Sequence, residues 1–131
     1  MPAPASAAAA LPAAIEPART CDVLQIFSAI ADQWELATDQ QIILLGSPAR
    51  STFFKWKKDG GGLPSDTQER ISHIFSIFKA LEILVPDPSL ADLWIRQPNR
   101  AFGGETALER ALSSVAGLCE VRQYLDAQRG G

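Results

Sequence analysis

Between Ser65 and Val85 the chain places Ile71, Ile74, Phe75, Phe78, Leu81 and Val85 three or four residues apart, with Ile77 and Leu84 widening the same stripe. That spacing is the period of an α-helix, and so broad an apolar face needs cover on two sides. Such a helix belongs between other helices or against a second subunit. The rest of the chain offers the partners. Val23, Ile26, Phe27, Ile30 and Trp34 form one stripe after Thr20, with Thr20 or Asp22 as cap. Thr38 or Asp39 opens a short helix with Ile42, Ile43 and Leu45 as its apolar contacts, ending at Gly46. Ser47-Pro48 then reads as a capping serine followed by proline at the first helical position, starting a helix to about Lys58.

Beyond the long helix, Pro86 and Pro88 act as stops, and Leu90, Leu93 and Trp94 predict a short helix closed by Pro98. Asn99 to Gly104 is an irregular turn whose one large apolar group is Phe102. Leu108, Ala111, Leu112 and Val115, then Leu118, Val121 and Leu125, predict two final helices with a break near Gly117. No stretch alternates as a strand does, so the fold class is all-α. Residues 1–19 are almost entirely alanine and proline and read as a flexible leader. They lack basic residues ahead of the apolar run, and Pro2, Pro4 and Pro12 interrupt it, which argues against an export signal. Residues 20–60 and 65–131 make two helical units, separated by the expected joint at Asp59-Gly60-Gly61-Gly62.

Charge is unevenly spread. The net charge is −3, but residues 1–49 carry −4, residues 50–58 carry +4 and residues 59–131 carry −3. The basic island is Arg50, Lys55, Lys57 and Lys58, with no acid among its nine residues. A local excess of this kind decides what docks, whatever the total. Two short helices joined by a tight turn, the second one basic, fit a helix-turn-helix reader of DNA. Arg50, Ser51 and Thr52 would lie at the groove, Lys55, Lys57 and Lys58 along the backbone, and Phe53 and Trp56 would anchor the helix to the Trp34 stripe. The competing reading is a solvated charged face on a helical bundle.

Chemistry of a catalytic kind has little to stand on. The one histidine, His73, sits within the apolar helix with only Glu69 four residues away. Cys119 has no histidine near it in sequence and reads as a small hydrophobe. Cys21 and Cys119 do not make a disulfide framework or a thiolate metal site, and a reducing cytoplasm is the expected compartment. Gly60-Gly61-Gly62 lacks the lysine of a phosphate loop. The carboxylates Asp66/Glu69 and Glu105/Glu109 suit helix N-termini. No enzyme, metal or cofactor is expected.

Leu93-Trp94, Pro98-Asn99, Ala101-Phe102-Gly103-Gly104 and the downstream Leu108, Gly117, Val121 and Leu125 resemble the toxin-binding domain of the Xre/MbcA/ParS-type antitoxins. Members also carry an Xre-like helix-turn-helix, similar to Leu44-Leu45-Gly46 with Ser47 and the Phe53/Trp56 helix here. The proline that many members place after the glycine pair is missing from Glu105-Thr106-Ala107. The resemblance implies a type II antitoxin that covers the active-site cleft of an NAD-consuming RES-domain toxin encoded alongside. It also implies repression of its own operon through operator DNA. The small basic island and the broad stripe over residues 71–85 point to a homo-oligomer within the complex. Toxin contacts would come from Asn99, Arg100 and Phe102, and from Arg122, Tyr124 and Arg129 near the end of the last helix. Arginine and tyrosine dominate buried interfaces. The competing roles are a core plug for Phe102 and helix-end charge complementation for Arg122 and Arg129. A stand-alone helix-turn-helix regulator with a helical dimerisation domain is the alternative.

Overall fold

The broad stripe finds both of its partners within the chain. A computed structural model describes residues 20–59 and 62–130, in which seven α-helices and no strand occur. They are α1 (Thr20–Gln33), α2 (Thr38–Leu44), α3 (Arg50–Asp59), α4 (Ser65–Leu84), α5 (Pro88–Trp94), α6 (Ala107–Ser113) and α7 (Val115–Gln128). A single 3-10 turn, Arg100–Phe102, joins α5 to α6. The leader expected at 1–19, the glycines Gly60 and Gly61 of the joint, and the side chains of Thr20 and Asp22 lie outside the described residues.

α4 packs against α1 on one side and α7 on the other. Ile71, Ile74, Ile77, Ala80 and Leu81 are buried, whereas Phe75 and Phe78 are only partly covered. The centre of the stripe therefore runs through Ile77, expected only at its margin. One continuous cluster joins the Val23, Phe27, Ile30 and Trp34 stripe to Phe53, Phe102, Leu118, Val121 and Leu125. At its middle a cavity of about 10 Å³ touches Trp34, Leu44, Ile74, Ile95, Leu108 and Val121, drawn from both halves of the chain.

Several local expectations are corrected. α2 faces the core through Leu44 and Leu45, while Ile43 is 40% exposed. Thr38 opens it as expected, but the cap position is Ala37, whose N–H donates to the Gln40 side chain at 2.9 Å. Ser47 is not a cap: it has a φ of 59°, directly after Gly46 at 103°, and the first helical bond of α3 runs from Phe53 N–H to Ala49 O. Two successive left-handed residues reverse the chain there, and the first is glycine, which accepts that conformation without strain. Leu90 and Leu93, expected as the inner face of α5, are half exposed; Ala91 and Ile95 are buried instead. The final break falls at Ser114, whose Oγ accepts the Gly117 N–H at 3.0 Å. α6 starts without the proline of the family pattern because Thr106 and Glu109 form a reciprocal capping box, both bonds at 2.9 Å.

Candidate toxin-binding and nucleic-acid surfaces

The α2–turn–α3 unit is held from below by α4. Thr67 Oγ1 donates to Leu45 O at 3.0 Å, and a Cβ on Gly46 would lie 3.1 Å from Asp66 Oδ2. Buried Gln41 donates to Leu36 O at 3.1 Å, tying α2 to the end of α1. Phe53 and Trp56 sink into the core beside α1, so α3 turns Arg50, Ser51, Lys55, Lys57 and Lys58 outward, with Thr52 partly covered. The face is not purely cationic. Arg50 pairs with Asp39 at 3.0 Å and lies 5.6 Å from the centroid of Phe54, itself 46% exposed. Both members of that ion pair are mostly exposed, so it contributes little to stability. Lys57 sits 5.5 Å from the Phe53 ring. Lys57 and Lys58 also occupy the last turn of α3, where cations suit the helix dipole.

In the second half of the chain the Asn99–Gly104 turn is locked by its own backbone and by Arg110. Asn99 Oδ1 accepts the Ala101 N–H at 2.9 Å, and Asn99 N–H donates to Glu105 O at 3.0 Å. Gly103 closes the 3-10 turn at φ 67°, a region costly for other residues. Arg110 donates to Phe102 O at 2.8 Å and pairs with Glu105 at 3.3 Å and Glu120 at 3.7 Å. Phe102 is 1% exposed. It meets the Tyr124 ring at 5.4 Å and Trp94 at 6.5 Å, and those two rings stack at 6.2 Å. Of the expected contact residues, Asn99 thus shapes the turn, Phe102 fills the core, Tyr124 is partly buried against both, and Arg100 is exposed.

Arg122 and Arg129 part company. Arg129 ends α7 and is exposed. Arg122 donates to His73 Nδ1 at 2.9 Å and lies 3.6 Å from Asp126. The same histidine brings its Nε2 to 3.4 Å from Cys119 Sγ and 3.5 Å from Glu69. Cys119 therefore does have a histidine beside it, contributed by α4 across the helix packing. A guanidinium only donates, so Nδ1 must accept and the ring proton sits on Nε2, facing sulfur and carboxylate. In that tautomer Nε2 cannot take the thiol proton or bind a metal ion, so the cluster reads as packing chemistry. Among the described residues no three His, Cys, Asp or Glu side chains are grouped for a metal, and no helix is long and apolar enough to cross a membrane.

Arg96 and Arg110 were not picked out by the sequence pattern. Arg96 donates to the carbonyls of Trp34 and Glu35, closing the end of α1 from the far side of the chain. Their partners lie across the fold or across a turn, and spacing along one helix carries no trace of either.

Residues 80–131 match the antitoxin Xre/MbcA/ParS C-terminal toxin-binding domain. Over 115 residues the chain is 59% identical to "Uncharacterized protein y4oB" of Sinorhizobium fredii (strain NBRC 101917 / NGR234), covering 87% of this chain and 89% of that protein. The chain belongs to the Xre/MbcA/ParS antitoxin family. The matched stretch begins inside α4 and takes in α5, the Asn99–Gly104 turn, α6 and α7. In this antitoxin-family chain, then, the aromatic triad Trp94, Phe102 and Tyr124 is the inner support of the toxin-binding domain. Arg100 and Arg129 are exposed cations of the same domain, and a toxin is its partner.

Proposed function

We propose that the chain is the antitoxin of a type II toxin–antitoxin system that neutralises a NAD-consuming RES-domain toxin by covering its active-site cleft. The observation that carries the reading is the toxin-binding domain over residues 80–131. Arg129, exposed at the end of α7, is the leading candidate to enter the cleft, because a cleft that binds a dinucleotide phosphate attracts a guanidinium. Arg100 joins it at the surface, while Asn99, Phe102, Arg122 and Tyr124 hold the turn and α7 in place behind them.

Residues 20–60 serve as a helix-turn-helix unit through which the toxin–antitoxin complex represses its own operon in the cytoplasm. Arg50, Ser51, Thr52, Lys55, Lys57 and Lys58 make the DNA face. With so few cations per chain, useful affinity calls for a homo-oligomer, in which the faces add. The opposing reading, a stand-alone regulator, is favoured by the basic face of α3 alone. Co-expression of the chain with the adjacent toxin gene decides between them. Growth should be restored with a stable complex and spared NAD; toxicity that persists beside soluble chain overturns the antitoxin reading.

A further inference from the structure

Where α1 ends, α4 ends and α5 begins, the described residues enclose a groove of about 200 Å³. Its floor is apolar, with the partly open ring of Phe78 backed by the buried Trp34 at a centroid distance of 6.4 Å and continued by Pro88. Its polar lining is Gln33, Glu82 and Asp92, and no cationic side chain lines it. Each acid has one oxygen engaged: Gln33 donates to Asp92 Oδ1 at 3.3 Å and Lys79 to Glu82 Oε1 at 2.9 Å. The second oxygen of each has no protein partner among the described residues.

We propose that this groove receives an arginine side chain of the toxin. An aromatic floor accepts the flat face of a guanidinium, and carboxylate oxygens at the edge accept its N–H groups. A neutral apolar side chain would leave the acids unmatched, and an acidic one would be repelled. Seven of the ten lining residues fall within the toxin-binding stretch 80–131, which makes the toxin the occupant. Ile83, Leu90 and Leu93, on α4 and α5, are 55%, 56% and 50% exposed and supply apolar contact beside such an anchor. The inference rests on the antitoxin reading, but its site is separate from the end of α7.

The test measures binding of the full chain to the toxin by calorimetry, with the isosteric Glu82→Gln/Asp92→Asn as the main variant and the charge-reversing Glu82→Lys as a second, stronger one. Circular dichroism and thermal melts check that both fold. The double variant should bind about tenfold more weakly or worse, since it removes the charged partners of a buried cation. Replacing the toxin's exposed arginines one at a time should uncover one whose loss costs the same factor with wild-type chain and nothing further with the double variant. A toxin that binds wild-type and variants equally overturns this inference and leaves the antitoxin reading standing. A toxin that does not bind wild-type chain overturns both. Variants that lose self-association in sedimentation, with unchanged toxin affinity, assign the groove to a second copy and overturn the proposal.

Discussion

Gly117 stands so close to Arg110 that a Cβ built on it would lie 2.0 Å from the Arg110 carbonyl oxygen and 2.8 Å from Ser113 Oγ. The two helices of the toxin-binding domain, α6 and α7, touch backbone to backbone at that point. In most helices glycine to alanine stabilises by about 1 kcal/mol. Here the sign reverses: Gly117→Ala should lower stability by about 2 kcal/mol or more, because α6 must move to admit one methyl. Urea unfolding followed by circular dichroism reads the change, and an equal or higher midpoint would contradict it.

Two arginines on the same helix should separate binding from folding. Arg129→Glu leaves the core untouched and should abolish toxin rescue in cells with a melting temperature within a degree or so of wild type. Arg122→Glu places an acid beside Asp126 and strips His73 of its donor. It should lower the melting temperature by several degrees in addition to any effect on rescue.

His73 should hold its neutral ring proton on Nε2. Nitrogen-15 NMR of the imidazole distinguishes the tautomers directly. The Arg122→Leu variant should release the preference, because the donor that fixes Nδ1 as acceptor is gone. A ring protonated at Nδ1 in the wild-type chain would contradict the arrangement.

Phe102→Ala should cost about 3–5 kcal/mol, the usual toll for emptying a buried aromatic site. Arg100→Ala, two residues away but exposed, should leave stability within about 0.5 kcal/mol. Loss of toxin binding by the first variant at temperatures where it remains folded would mean that Phe102 makes a contact of its own.

On the face proposed for DNA, Asp39 holds Arg50 at 3.0 Å and adds a negative charge where phosphates would approach. Asp39→Asn should strengthen operator binding by roughly threefold to tenfold and steepen its decline with salt. Lys57→Gln/Lys58→Gln should weaken it and flatten the salt slope. Mobility shifts across a salt series measure both.

The helical core was legible because it depends on spacing along one segment. Val23, Phe27, Ile30, Ile71, Ile74, Leu118 and Val121 all point inward where three- and four-residue recurrence puts them. Recurrence does not tell which edge of an apolar stripe faces the centre, so spacing alone leaves Ile77 at the margin and turns Leu90 and Leu93 inward. Turn chemistry was partly legible. Asn99 and the glycine pair mark a turn, yet Ser47-Pro48 looks like a helix start when the chain is in fact reversing through a left-handed serine. The sites that join distant segments were hidden. His73 meets Cys119 and Arg122 across the α4–α7 packing, Arg96 meets the end of α1, and the groove draws Trp34 together with Asp92. None of these pairs shares a local pattern, and only the packed chain brings them into range.

α4 touches the α2–turn–α3 unit and the toxin-binding helices through different residues: Thr67 near its start holds the turn after α2, and His73, under two turns later, holds Arg122 of α7. The helix is a shared beam. A shift of α4 along its axis would strain both contacts together, so the turn after α2 and the helix α7 answer to the position of one rigid element.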